Sequence, residues 1–503
     1  MDSAIRVAVR TVACALLSCI GWVLPSLAAP AIPYERHVLP NGLTLIVHED
    51  HKAPIVALSV FYRAGSRDEA PGRSGFAHLY EHLMFVGSEH HDDEFFRPMR
   101  AAGATDMSGQ THYDLTHYYQ NVPSGALDLA LWLESDRMTH FLPAVSQKDL
   151  DAQRGVVKNE NRQYANLPYG RDDDVIAANT YPPEHPYSRT VGGSEEDLSA
   201  ATLEDVEHWF RTYNGAANAI VVIAGDITSA QALEKVERYF ADAPAGPLPA
   251  RRKSWVAKMS GEQRLVSFDA VSQPRVYKVW NVPGCATRDY ALLELAADVL
   301  AGGKTSRLHQ RLLQTDGVAT DVAVTVRAKE LGSQFNVTVT LKSGADLRAA
   351  EQALSEEMSR FLRDGPTADE MKRARSVADA QFVRRLERIN AISDGGKSWI
   401  LGASELFGGS PDFYQQSLDW VRQATPNDVR SVMQDWLSDG SFVLEVQPTP
   451  RFRVAASGVD RSRMPEPGAP SELHLPSLQR MTLSNGLNVV LAERHGAPLV
   501  NLS

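Results

Sequence analysis

Apolar and polar positions along the chain mark three kinds of segment. At the start, Arg6 and Arg10 precede an uncharged stretch, Thr11 to Leu24, rich in Val, Ala, Leu and Ile, which runs into Pro25-Ser26-Leu27-Ala28-Ala29. A basic start, a short apolar run and a small-residue exit predict a secretory signal peptide over residues 1–28. A membrane anchor competes with this reading, but a spanning helix needs about 20 apolar residues and Pro25, Pro30 and Pro33 interrupt too early. The second kind alternates: Arg36 to Ser59 reads as a strand, an Asn41-Gly42 hairpin turn and another strand. The segment Arg480 to Ser503 repeats it 444 residues later without a gap, with twelve of twenty-four positions identical.

The third kind has helical spacing. Thr202-Leu-Glu-Asp205 opens a pattern through Val206, Trp209, Phe210 and Tyr213, followed by a strand from Asn218 to Ala224. At an offset of 223, Thr425-Pro-Asn-Asp428 opens Val429, Val432, Met433 and Trp436, followed by a strand from Ser441 to Val446. In both, a Thr with an Asp three residues on is a helix-start signature. Half of 444 is close to this offset, so the chain reads as successive copies of one unit. The expected order is a domain over 30–245, a linker over 246–254 within a Pro- and Gly-containing stretch, a second domain over 255–447, a Pro-rich linker over 448–476 and the start of a third domain over 477–503. Strands, helices, strands and helices recur in each full copy, an α+β class of homologous two-layer α/β domains with largely antiparallel sheets. The strand pattern reaches Ser503 with nothing after it to pack against. The chain therefore reads as the front half of a longer design: truncated, frameshifted or split across two polypeptides.

Composition narrows the class without naming a function. Of 503 residues, 22% are charged and 43% hydrophobic, which is globular rather than disordered or fibrous. The net charge of −11 argues against a nucleic-acid partner. Loss of residues 1–28 would remove Cys14 and Cys19, leaving Cys285 as a buried, inert thiol with no internal disulfide partner. No membrane span is expected beyond residue 30, so the mature protein would be periplasmic or extracellular. A lipid anchor at Cys19 is the minor alternative.

The chemistry concentrates in Ser74-Gly-Phe-Ala-His-Leu-Tyr-Glu-His-Leu-Met-Phe85, which contains His78-x-x-Glu81-His82. Apolar Phe76, Leu79, Leu83 and Met84 predict a helix, on which residues at i and i+4 lie one turn apart on one face. Two imidazoles so placed suit Zn²⁺, and Glu81 is within reach of a water held there. The bland alternative is a solvated helix face with two surface histidines. A catalytic zinc takes three protein ligands and keeps a position open. The third candidate is Glu160, because Gln153, Val156, Val157, Glu160 and Tyr164 fall on one helical face that reads as core-facing, where a carboxylate needs a partner. Pairing of Glu160 with a nearby Arg is the alternative.

With Val156-Val-Lys-Asn-Glu160 placed 78 residues beyond His82, the chain resembles the pitrilysin/insulinase family of zinc metallopeptidases, the inverzincins. Three further segments carry the resemblance: Thr116-His-Tyr-Tyr119, Leu133-Glu-Ser-Asp-Arg-Met138 and, in the second domain, Gly302-Gly-Lys-Thr-Ser-Arg-Leu308. It implies four homologous domains in a clamshell, of which this chain would be one half. It also implies one Zn²⁺ per chain held by His78, His82 and Glu160, with zinc-activated water and Glu81 as general base. The expected activity is a secreted or periplasmic zinc endopeptidase acting on peptides or small unfolded proteins. Substrate contacts would fall at Ser108, Gly109, Gln110 and Thr111. Gln153 replaces a Glu that family members often carry behind the ligands. Partners would be peptides and a second clamshell half, supplied by the missing C-terminal half, a partner chain or self-association. The alternatives are a non-catalytic peptide-binding or partner subunit of the same fold, and an inactive fragment lacking its second half.

Two other segments offer chemistry that their context argues against. Gly303-Lys304-Thr305 lacks the earlier Gly of a phosphate loop, since position 298 is Asp, and reads as a helix-start turn. His90-His91-Asp92-Asp93 reads as a solvated loop. His112 and His117 alternate with tyrosines on a strand pattern and are expected at the surface or in a substrate cleft.

Overall fold

The computed structural model describes residues 31–251, 253–390, 395–450, 468 and 477–493; the expected signal peptide, Cys14, Cys19 and most of the Pro-rich linker lie outside them. The chain forms two compact units, Met1–Thr449 and Pro450–Ser503.

The first unit contains two mixed sheets. Strands β1 (Glu35–Val38), β2 (Thr44–Glu49), β3 (Ile55–Tyr62), β4 (Thr105–Thr111), β5 (Thr116–Pro123) and β6 (Ala219–Gly225) make the first, in the order β1-β2-β6-β3-β5-β4. All pairs are antiparallel except β2 with β6. Strands β7 (Glu262–Asp269), β8 (Arg275–Val282), β9 (Ala319–Arg327), β10 (Ser333–Leu341) and β11 (Ser441–Pro448) make the second, in the order β7-β11-β8-β10-β9. Here too one pair, β7 with β11, is parallel and the rest antiparallel. The antiparallel-dominated α+β class expected from the pattern is the one observed.

Each sheet packs its helices over one apolar face. Leu45, Val47, Leu58, Val60, Val221 and Ile223 alternate inward on the first sheet and bury against Leu79, Leu131 and Val236 from helices. Val337, Val339 and Leu341 do the same in the second, against Leu292, Leu354 and Met433. Both predicted helix starts are capping boxes, at Thr202 with Asp205 and at Thr425 with Asp428.

The opposite faces are covered by exchange. Each half has a 19-residue helix, Gln147–Ala165 and Ala368–Leu386, followed by a shorter one, Asp172–Thr180 and Gly396–Ala403. Ile400 and Leu401 of the latter bury against Ile46, Phe61, Ile220 and Val222 of the first sheet. Ile176 of the former buries against Tyr277, Val279 and Phe442 of the second. Each sheet is thereby closed by a helix from the other half of the chain.

This exchange overturns one expectation. His117 is fully buried, stacked between Phe61 and Tyr119 at 4.7 Å each and capped by Trp399 at 5.1 Å. A strand pattern does not reveal that a distant helix covers its second face. His112 is half-buried beside the same Trp399.

Polar contacts also join the two halves. Arg67 Nη1 donates to Asp114 at 2.9 Å and to Glu330 at 2.5 Å, while the Glu330 and Leu331 N–H groups donate to Asp114 and the Tyr187 hydroxyl. Lys329 lies beside them, its ammonium 4.2 Å from the centre of the Tyr113 ring. Cys285 is the free cysteine among the described residues, its thiol pushed well above the ordinary range by burial.

In the second unit β12 (Leu478–Thr482) and β13 (Asn488–Ala492) form an antiparallel hairpin. Its Gly486 and Gly42 of the first hairpin share positive φ, 86° and 89°, which is why both copies keep Gly at the turn. No helix among the described residues is long and apolar enough to cross a membrane.

Candidate metal centre

Helix Phe76–Leu83 begins after Gly75, whose φ of 85° is left-handed, and a Cβ there would meet the Gly192 carbonyl oxygen at 2.6 Å. Glu69 Oε1 accepts from the Ala77 N–H at 2.9 Å, satisfying one of the unpaired donors of the helix start. Burial of this carboxyl raises its pKa to about 8. Glu69 was not signalled by the sequence, since nothing in its spacing ties it to the helix it caps.

The helix carries both His78 and His82 to one point, their ring centres 4.9 Å apart. Glu160 comes from the long helix Gln147–Ala165, which starts at a Ser146–Asp149 capping box and is anchored by buried Leu150 and Val157. Its Oε2 lies 3.4 Å from His82 Nε2 and 3.7 Å from His78 Nε2. Ligands bound about 2.0–2.1 Å from one tetrahedral ion would be about 3.3–3.4 Å apart, so the three donors fit zinc with little movement. Burial, then the neighbouring His82, lowers the His78 pKa to about 4, so its imidazole is neutral and able to ligate at neutral pH.

Glu81 points from the same helix toward strand β4, and its carboxyl is buried. Thr111 Oγ1 donates to Glu81 Oε2 at 2.7 Å. Burial raises the Glu81 pKa to about 7, with the Thr111 bond opposing and Glu160 adding to the rise. Thr111, expected as a substrate contact, thus holds Glu81, while Gly109 packs so closely that a Cβ would be 2.9 Å from Glu81 Oε1. Ser108, Gly109, Gln110 and Thr111 all lie half-buried on β4, which pairs with β5 alone at the sheet edge. Beneath them Arg137, fully buried, makes a two-pronged pair with Glu134 and stacks 4.2 Å from Tyr118, the β5 partner of Gly109.

The stripe on the long helix departs from its expected orientation. Val157 is buried, but Val156 is 41% exposed and Tyr164 64% exposed. Gln153 is half-buried two turns before Glu160. The helix therefore packs beside the His78–His82 helix with Glu160 at the boundary between packed and open faces, where a carboxylate can reach the histidines without full burial. In the second half, the residue 223 positions after Glu160 is Val383, and the helix Arg288–Ala301 carries no histidine.

Comparison with known proteins agrees with this division. The family model for insulinase (Peptidase family M16) matches residues 44–189, and that for the Peptidase M16 inactive domain matches residues 200–377. The chain belongs to the insulinase family, peptidase family M16. Within this family it is 24% identical over 411 residues to an uncharacterized zinc protease of Streptomyces coelicolor, covering 80% of this chain and 87% of the other. It is 25% identical over 404 residues to the zinc protease PqqE of Helicobacter pylori, covering 77% and 87%. Among solved structures, a protease from Helicobacter pylori aligns with a TM-score of 0.75 at 23% identity, over 83% of this chain and 99% of that one. The first half of the periplasmic protease PqqL from Escherichia coli aligns with a TM-score of 0.66 at 18% identity, over 82% and 91%. Whole PqqL aligns with a TM-score of 0.67 at 17% identity, over 92% of this chain and 56% of that one. The M16 fold thus places the inactive-domain match on the half that lacks the His pair.

Proposed function

We propose that this M16 chain is a zinc endopeptidase of the periplasm or the extracellular space, with residues 30–245 as its catalytic domain and 255–447 as a second, homologous domain. The observation that carries the reading is the convergence of His78, His82 and Glu160, with Glu81 buried beside them. Those three residues would hold the metal. A bound zinc ion would polarise the scissile carbonyl and acidify a water in its open position.

Glu81 serves as the general base and then returns a proton to the leaving amine. Thr111 keeps its carboxylate oriented, and Gly109 leaves room for it against the β4 edge. That edge is suited to an extended peptide, because the outward N–H and C=O groups of an edge strand pair with any backbone and ask little of the sequence. Gln153, behind Glu160, tunes the charge of the site without supplying a ligand. The open face marked by Val156 and Tyr164 supports a second clamshell half as partner, whether another polypeptide or another copy. The alignment of this chain with half of PqqL points the same way.

The test is a quenched fluorescent peptide mixture assayed with the purified chain and Glu81→Gln, zinc being measured on both. Cleavage lost in the variant with zinc unchanged is expected. Cleavage retained in Glu81→Gln would remove the base assignment, and absence of zinc from both would remove the metal centre.

A further inference from the structure

The loop that follows the His78–His82 helix is solvated as expected, with Glu89 and His90 exposed, and its donors are organised. Glu89 and His90 come from this loop, and His140 is the residue just beyond helix Leu127–Thr139. One ligating atom from each of the three lies within 4.8 Å of the other two. The two imidazole rings stand edge to face with centres 4.7 Å apart.

The backbone holds both segments in place. The Glu89 N–H donates to the His140 carbonyl at 2.9 Å, and Ser88 bridges to His91 across the loop. His90 Nδ1 is 2.7 Å from Asp136 Oδ1, a carboxylate that is itself buried. His140 Nδ1 lies 3.1 Å from Glu89 Oε2. The Asp136 carboxylate at Nδ1 fixes the tautomer of His90 and leaves its Nε2 as the metal donor. The Glu89–His140 separation is close to the spacing of two ligands on one tetrahedral ion. Two imidazoles and a carboxylate suit zinc and similar borderline cations rather than calcium or magnesium.

We propose that Glu89, His90 and His140, with Asp136 behind His90, form a second divalent-cation site of the zinc class. Its ion would tie the loop after the His78–His82 helix to the end of the helix that carries Arg137. The chain would then take two zinc ions rather than one.

The experiment is equilibrium dialysis of the metal-stripped full chain against buffered Zn²⁺ alone, with metal counted per chain and folding followed by thermal unfolding. Two equivalents are expected for the native sequence. His90→Ala and His140→Ala should each weaken one equivalent at least tenfold and leave the other, whereas His78→Ala should remove the complementary one. Co²⁺ in place of Zn²⁺ should give two additive sets of visible absorption bands, with one set lost in His140→Ala. His90→Gln repeats the test if an alanine variant unfolds. A single equivalent that survives both His90→Ala and His140→Ala overturns the site, as does a second equivalent that neither variant weakens. Because the readout is metal count, it can fail while the peptidase reading stands.

Discussion

Thr111 Oγ1 donates to Glu81 Oε2 across 2.7 Å, joining the exposed edge of a sheet to the helix that carries both histidines. The strand along which a peptide would bind and the carboxylate that would act on it are therefore one mechanical unit. A hydrogen bond to a charged group contributes about 1.5–3 kcal/mol. Thr111→Val is expected to lower kcat about tenfold to a hundredfold, with zinc content unchanged. Thr111→Ser, which keeps the hydroxyl, should recover most of it. Equal kcat in Thr111→Val and the native chain would show that Glu81 is oriented by other means.

Arg137 and Glu134 are buried together beneath β5, and Gln120 also donates to Glu134 at 2.7 Å. Removing one partner of a buried pair strands the other's charge, at a cost of about 3–5 kcal/mol. Arg137→Ala should lose about that much stability in urea titration. Arg137→Met combined with Glu134→Leu should lose less than Arg137→Ala alone, since no charge is stranded. A double variant worse than the single would mean that the pair is a net source of stability.

Lys329 gives the fold a pH dependence of its own. Burial, reinforced by nearby Arg327, lowers its pKa from 10.5 to about 7. Between those values the unfolded chain binds a proton at this lysine that the folded chain does not, so the Lys329 contribution to stability rises as pH increases through that window and is flat below it. Denaturant titrations at several pH values from 6 to about 10 are expected to show this rise in the native chain and its loss in Lys329→Met. Parallel curves for the two proteins would place the lysine in the same state folded and unfolded.

The sequence made the cluster of His78, His82 and Glu160 legible only as far as local geometry reaches. His78 and His82 share a face because a helix turns every 3.6 residues, and the spacing alone says so. Glu160 followed from a stripe and a family resemblance, but Val156 and Tyr164 on that stripe are exposed, because an apolar period cannot say whether a face meets core or opening. The parallel pairing of β2 with β6 joins segments far apart in sequence, and no local signal encodes it. The same holds for the exchanged helices: Ile400 and Ile176 mark apolar faces without naming the sheets they cover. His117 was misplaced for this reason. The Thr111–Glu81 bond depends on where β4 runs relative to the helix, a relation between elements that neither element's pattern contains.

Gly109 and Thr111 provide a sharper test of the proposed catalytic arrangement than either alone. A Cβ at Gly109 would meet Glu81 Oε1 and Phe85 Cζ, both at 2.9 Å, closer than side chains tolerate. Phe85 is packed against Phe95 and Phe96, so the Glu81 carboxylate cannot keep its place unless the ring gives way. Gly109→Ala should therefore displace Glu81 and lower kcat. Thr111→Val acts on the same carboxylate from its other oxygen. Once either change has freed Glu81, the second has less left to disturb, so the double variant should fall short of the product of the two single losses. Multiplicative losses would instead mean that Gly109 acts on the bound peptide along β4 and not on the base, a result that steady-state kinetics would confirm as a rise in KM confined to Gly109→Ala.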